Sequence, residues 1–211
     1  NIEIKKIAAE GKSIAYVDEK VLFVPNTVPG DIVDVQVTRK RKSFLEGFIV
    51  NVRKYSDIRT EPFCSHFGVC GGCKWQNLPY QLQTEFKQQE IVDNLQRIGK
   101  VELQNVSPII GSPKTTYYRN KLEYTFCNKR FLTREEIANG QDIDRTPAVG
   151  FHVPGLFDKV IDIKKCYLQA EPSNAVRNFI RDYAIEHELS FYDIREQAGF
   201  LRTLIIRTSS T

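Results

Sequence analysis

Val33, Val35 and Val37 alternate with Asp34, Gln36 and Thr38, the two-residue period of a strand with one buried face. Phe48, Val50 and Val52 repeat the pattern, and Arg39-Lys40-Arg41-Lys42-Ser43 between the two runs is a polar connection of hairpin length. Upstream, Val21-Leu22-Phe23-Val24-Pro25 is a third apolar run. Val28-Pro29-Gly30-Asp31 has turn chemistry, with Pro presetting one dihedral and Gly free to take positive φ. Short strands joined by such turns predict an all-β region over 1–60, a small barrel of OB-like size.

A cysteine-rich loop over 61–78 follows, and then the period changes. Pro79 to Ile98 reads as a helix, with Pro79 suited to its first position and Gly99 to the residue past its end. Leu82 and Phe86 share one side of it, while Ile91, Leu95 and Ile98 fall roughly opposite. A linking helix over 79–104 is therefore expected to touch one body with its first half and another with its second. From 105 to 211 the pattern is α+β. Strands are predicted at Tyr117–Phe126, Ala148–Val153, Val160–Ile163 and Leu201–Thr208. A helix is predicted over about 172–188, where Val176, Phe179, Ile180 and Tyr183 recur at helical spacing.

Hydrophobic residues make up 41% of the chain and charged residues 27%, an ordinary globular composition. No apolar run approaches the ~18 residues of a membrane helix, and the first residues lack a signal-peptide core. The expectation is a soluble, cytoplasmic protein with no membrane partner. Methionine is absent, and the last predicted strand lies close to Thr211, so the chain reads as a piece of a longer polypeptide. The net charge of +4 is compatible with a nucleic-acid partner but does not require one.

The densest chemistry is Cys64-x5-Cys70-Gly71-Gly72-Cys73. Two glycines between Cys70 and Cys73 let the backbone turn so that both sulfurs face one point. They also let backbone amides approach sulfur, where hydrogen bonds stabilise negative charge. Three ligands leave a fourth wanting, and Cys166, far downstream, can supply it. Such a set suits a [4Fe–4S] cluster or structural zinc, and His66 is an alternative fourth zinc ligand. A disulfide or inert thiols remain the third reading. Cys127, near a strand end, reads as a small core residue.

The stretch Pro62-Phe63-Cys64 through Cys70-Gly71-Gly72-Cys73-Lys74-Trp75-Gln76 resembles the cluster motif of the RNA uracil-5-methyltransferases, particularly the 23S ribosomal RNA type. Phe23-Val24-Pro25 and Val28-Pro29-Gly30-Asp31 look like the TRAM domain that precedes the motif in that family. Tyr118-Arg119-Asn120-Lys121, Val149-Gly150-Phe151-His152, Asp162 and Cys166 resemble its central domain, in order. The resemblance covers nearly the whole chain. It implies that Cys64, Cys70, Cys73 and Cys166 hold a [4Fe–4S] cluster. It also implies methyl transfer from S-adenosylmethionine to C5 of a uridine, in ribosomal RNA, through a catalytic cysteine that adds to C6. The expected fold is thus mixed β and α/β: a small OB-like TRAM β-barrel followed by an α+β iron–sulfur central domain. A Gly-rich cofactor turn is not found, and no cysteine is left for the nucleophile. The Rossmann-like catalytic domain is accordingly expected to be absent, with the methyltransferase domain missing in cis. The chain then reads as an inactive N-terminal portion with no catalytic or cofactor-binding residues of its own.

For RNA contact, Arg39, Lys40, Arg41 and Lys42 offer consecutive cations with Phe44 as a stacking surface. A solvated hairpin tip is the competing reading. Arg119 and Lys121, placed on one strand, would point to the same side and reach one phosphate; a polar strand face competes there. Trp75 is expected to cover the cluster, with stacking on a base as the competing reading. Two rival functions are a non-enzymatic RNA-binding module with an iron–sulfur or zinc site, and a cluster-dependent radical or thiolation enzyme. The tight Cys-Gly-Gly-Cys and the available Cys166 argue against the open iron a radical enzyme needs.

Overall fold

The computed structural model describes residues 1–140, 143 and 146–209. Residues 141, 142, 144, 145, 210 and 211, all in the region expected as α+β, lie outside the described residues. The chain divides into two compact units: residues 1–63 with 74–113, and residues 64–73 with 114–211.

The first unit is built on six strands: β1 (Ile2–Glu3), β2 (Lys6–Ile7), β3 (Lys12–Val17), β4 (Lys20–Pro25), β5 (Ile32–Lys40) and β6 (Phe44–Lys54). Their order is β1-β5-β6-β4-β3-β2. The two end strands are halves of one extended stretch, residues 2–7. Ile4 N–H donates to Asp31 O at 2.9 Å and Lys5 N–H to Ile14 O at 2.8 Å, so this stretch closes the sheet on itself. The interior is filled by the alternating inward residues Ile4, Ala15, Leu22, Val24, Val33 and Leu45, all buried. The hairpin expected between two valine-rich strands is β5–β6, and Arg41 N–H closes it on Phe44 O at 2.9 Å.

Asp31 ties the turn after β4 to the segment after β6. Its buried carboxylate accepts from Val28 N–H at 2.8 Å, Ser56 N–H at 3.0 Å, and Arg59 Nε and Nη2 at 2.8 and 2.7 Å. Gly30 has φ of +88°, and a Cβ there would stand 2.7 Å from the Ser56 hydroxyl, so the turn demands glycine.

The helix α1 (Tyr80–Asp93) and a wider-wound turn at Asn94–Ile98 belong to this unit. The Gln88 side chain donates to Ser107 O at 3.0 Å and accepts from Ile109 N–H at 2.9 Å, which fastens the following segment along the helix. Leu82 and Phe86 are half-buried, whereas Ile91 and Ile98 are 59% and 78% exposed.

The second unit is a four-stranded antiparallel sheet of β7 (Lys121–Cys127), β8 (Ala148–His152), β9 (Val160–Asp162) and β10 (Thr203–Arg207), in the order β10-β7-β8-β9. Among the described residues two helices accompany it, α2 (Arg134–Asn139) and α3 (Ser173–Glu186). Leu122, Tyr124, Phe126, Val149, Ile163, Leu168, Ala184, Phe191 and Ile206 form its core, with Cys166 among them and Cys70 and Cys73 packed against them. The loop 64–73 is thereby part of this core although its neighbours in sequence are not. The helix expected over about 172–188 is α3, but its inward face differs from the expected one. Ser173, Asn174, Arg177 and Ala184 are buried, while Val176, Phe179 and Tyr183 are exposed.

Candidate functional site

The cysteine loop enters the second unit through backbone contacts. Gly71 N–H donates to His152 O, at the end of β8, at 3.1 Å. A Cβ on Gly71 would lie 2.5 Å from that same oxygen, so the approach is open to glycine alone. Gly72 N–H points at Cys70 Sγ, 3.4 Å away. His66 accepts on Nε2 from Lys164 N–H at 3.2 Å, and its carbonyl accepts from Cys70 N–H at 2.9 Å. One ring nitrogen of His66, the alternative zinc ligand, is thus taken by the backbone.

These contacts bring the first three cysteines to the fourth. Burial pushes the Cys70 thiol up to about 11; Gly72 N–H opposes this, and the neighbouring sulfurs of Cys73, Cys166 and Cys64 add to it. Cys166 is also raised, first by burial, against the opposing pull of Leu168 N–H, Arg177 and the Tyr124 hydroxyl. Among the described residues, no three His, Cys, Asp or Glu side chains stand in the arrangement of a bound metal ion. None of the five cysteines is in a disulfide. Cys127 stands apart, buried with Ala148 and Val160, its thiol donating to Lys129 O at 3.3 Å.

Helix α3 frames Cys166 with polar groups. Asn174 clamps its backbone from both sides: Oδ1 accepts from Cys166 N–H at 2.7 Å, and Nδ2 donates to Cys166 O at 3.1 Å. One turn on, Arg177 is 0% exposed. Its guanidinium donates to Asn174 Oδ1 at 2.9 Å, Lys164 O at 2.8 Å, Asn178 Oδ1 at 3.1 Å and the Tyr124 hydroxyl at 3.4 Å. It also lies 5.0 Å from the Tyr124 ring centroid. Neither Asn174 nor Arg177 is legible as a site residue in the sequence, because a polar pair one turn apart on a helix reads as a solvated face.

The candidate RNA contacts fall in both units. Arg39, Lys40, Arg41 and Lys42 are exposed at the β5–β6 hairpin; Arg39 pairs with Glu46 at 3.3 Å. Phe44 is half-buried, edge-on to Phe23 with ring centroids 5.8 Å apart. In the second unit, the expected strand over 117–126 begins only at Lys121, so Arg119 lies before it and the same-side argument does not apply. Tyr117 takes φ of +54°, and Tyr117 and Arg119 donate their amides to Tyr167 O and Leu168 O at 2.7 and 2.8 Å. Arg119 sits 5.9 Å from the Tyr118 ring centroid, and Lys121 pairs with Glu123 at 3.2 Å. Trp75 belongs to the first unit, beside Gly11, with Lys87 over its ring at 5.9 Å.

Residues 1–50 match the TRAM domain family. Over nearly its whole length the chain is similar to proteins named as uncharacterized RNA methyltransferases. One from Bacteroides thetaiotaomicron is 57% identical, over 97% of this chain and 45% of that protein. Another from Porphyromonas gingivalis is 50% identical, over 100% of this chain and 46% of that protein. Among solved structures, the Pyrococcus abyssi tRNA (uracil-54, C5)-methyltransferase in complex with S-adenosyl-L-homocysteine shares the fold, with a TM-score of 0.62 at 24% identity over 98% of this chain and 42% of that one. The chain spans less than half the length of each of these proteins.

These relatives overturn part of the expectation from sequence. An absent Rossmann-like catalytic domain, a methyltransferase domain missing in cis, and an inactive N-terminal portion were all inferred from a missing Gly-rich turn and nucleophile. The relatives are named as RNA methyltransferases, match nearly all of this chain, and extend over about twice its length. A cofactor turn not found within 211 residues therefore says nothing about the protein's activity. Among the described residues no helix is long and apolar enough to cross a membrane.

Proposed function

We propose that the protein is an S-adenosylmethionine-dependent RNA methyltransferase that acts at C5 of a uridine. Residues 1–63 grip RNA, and the second unit is organised by a [4Fe–4S] cluster on Cys64, Cys70, Cys73 and Cys166. The observation that carries the reading is the excursion of residues 64–73 out of the first unit to meet Cys166 in the core of the second. A loop with no more to do than connect would have no reason to bring three thiols to a fourth. The donor set is all sulfur, with a backbone N–H aimed at Cys70, the setting in which thiolates hold iron–sulfur clusters. When bound, the cluster supplies a rigid multi-point crosslink between distant parts of the chain. His66 is not part of the set, since Lys164 N–H holds its Nε2. Cofactor use follows the solved relative's complex with S-adenosyl-L-homocysteine.

The exposed cations at Arg39, Lys40, Arg41 and Lys42, with Phe44 at the hairpin base, are the RNA-gripping surface of the TRAM region, and Arg119 and Lys121 serve as a second contact set. Phosphate contacts of this kind position an RNA without reading its sequence, leaving choice of the uridine to other residues.

The test is to express the full-length protein without oxygen, record its absorbance, and incubate it with labelled S-adenosylmethionine and RNA from cells lacking it. A broad band near ~400 nm and label at uridine C5 are expected. A colourless, iron-free protein would remove the cluster. Label on another base or atom would remove the uracil-5 assignment.

A further inference from the structure

Arg177 stands out among the buried polar groups. It has no exposed surface, yet every acceptor of its guanidinium is neutral: an amide oxygen from each of Asn174 and Asn178, the Lys164 carbonyl and the Tyr124 hydroxyl. Its Nε has no hydrogen-bond partner among the described residues. A buried cation without an anion costs several kcal/mol, and arginine cannot discharge itself by losing its proton. Among the described residues, Glu171 feels the Arg177 charge, but neither it nor Asp162 accepts a hydrogen bond from the guanidinium. Asp162 is held by Arg181, at 2.9 Å, and by Lys164 at 2.6 Å. Glu171 accepts from Asn174 Nδ2 at 2.8 Å and Ala175 N–H at 3.2 Å.

What does lie beside Arg177 is the cysteine site. Asn174 Oδ1 is shared between the guanidinium, at 2.9 Å, and the Cys166 amide, at 2.7 Å. The carbonyl of Lys164, two residues before Cys166, takes the other arm of the fork at 2.8 Å. Sulfurs that bind metal do so as thiolates, their protons passing to solvent. Four thiolates outweigh the net positive charge of a zinc ion, or of an iron–sulfur core with its sulfides counted, so the loaded site is an anion. It has the right sign, and the guanidinium acts on Cys166 directly, whereas Glu171 spends its hydrogen bonds on Asn174 and Ala175.

We propose that Arg177 is the counter-cation of the cysteine site, a positioning residue that neutralises the loaded thiolates and, through Asn174, fixes the backbone of Cys166. This rests on the four-cysteine ligand reading. It further predicts that the same arginine is a burden when the site carries no metal, because its charge then has no hydrogen-bonded anion among the described residues.

The experiment compares full-length wild-type protein with Arg177→Met and Arg177→Lys, all purified without oxygen. It measures metal per chain, the chelator concentration that removes half the metal, and the melting temperature before and after stripping. Loss of a residue that supports metal ligands typically costs about 10–100-fold in metal affinity, so Arg177→Met should yield its metal at correspondingly lower chelator. Arg177→Lys, which keeps the charge but not the fork, should fall between. After stripping, Arg177→Met should melt no lower than stripped wild type. Equal metal retention by Arg177→Met and wild type would overturn the proposal. So would a lysine variant as weak as the methionine one, or a methionine variant that is less stable with and without metal, since each marks a purely structural arginine. Wild-type protein carrying neither iron nor zinc would overturn the ligand reading itself, and the proposal with it.

Discussion

Cys127 and Cys166 are both buried thiols in the second unit, and their neighbours assign them different fates. Cys127 donates to a backbone carbonyl beside Ala148 and Val160, whereas Cys166 sits against Cys70 and Cys73. Iron per chain, measured after each of the five cysteines is changed to serine in turn, should fall for Cys64, Cys70, Cys73 and Cys166 and stay at the wild-type level for Cys127. Iron lost from Cys127→Ser and kept by Cys166→Ser would reverse the assignment. Asp31 offers a second test at this scale. Its buried carboxylate satisfies two amides and the Arg59 fork, so Asp31→Ala leaves four donors without their acceptor. A loss of about 3 kcal/mol in the first unit is expected from chemical denaturation. The Val-Pro-Gly-Asp turn was legible because Pro and Gly announce their own dihedrals. That its aspartate holds Arg59 was not, since nothing in local sequence couples residues so far apart.

Helix α3 shows where periodicity stops informing. The recurrence of Val176, Phe179, Ile180 and Tyr183 located the helix, yet Val176, Phe179 and Tyr183 face out, and the buried face carries Asn174, Arg177 and Ala184. Spacing reports which residues share a face, and hydrophobicity usually says which face is inward; here the polar demands of Cys166 and its surroundings outvote it. Phe179→Ser should therefore change stability by less than about 0.5 kcal/mol in a denaturant titration, as exposed substitutions do. A loss of several kcal/mol would mean the stripe is covered. Strands fared better: β5 and β6 follow their valines, because a closed sheet needs one face apolar whatever it carries. The short β1, β2 and β3 escaped notice, lacking a sustained alternation. The loop after α3 has its own anchor. Asp193 accepts from Asn128 and Lys129, each at 2.9 Å, and from the amides of Arg195 and Glu196. Those bonds hold its carboxyl well below the usual carboxylate range. A depressed folded-state value adds stability above the ordinary aspartate range and loses it as pH falls towards the folded value. The second unit should accordingly weaken below about pH 4, and Asp193→Asn should flatten that acid limb in thermal melts across pH.

At the scale of the molecule, the two units should answer differently to salt and to chelators. If the hairpin cations hold RNA phosphates, binding weakens as salt rises, and changing Arg39, Lys40, Arg41 and Lys42 together to Ala should lower the slope of log affinity against log salt across unrelated RNAs. An unchanged slope in filter-binding or anisotropy titrations would place the contact elsewhere. Chelation without oxygen should lower the melting of the second unit, whose loop is tied to Cys166, and leave the first unit, with its own closed core, near its original temperature. Hydrogen exchange resolves the two.

The route of the chain through its two units also sets an order in time. A ribosome delivers Cys64, Cys70 and Cys73 long before Cys166, and before Tyr124, Asn174 and Arg177, which surround it. The barrel can close as soon as residues near Arg59 emerge, since Asp31 needs nothing later. The ten-residue excursion cannot settle then, because the sheet and helix that receive it do not yet exist. Three thiols therefore wait, unprotected, while roughly a hundred more residues are made, several seconds at ordinary rates of synthesis. A nascent chain arrested just before Cys166 should expose them to a thiol reagent, and one arrested past Glu186 should shield them. On the four-cysteine reading, metal loading would be a late event in biogenesis, and oxidants would find the thiols most vulnerable during translation.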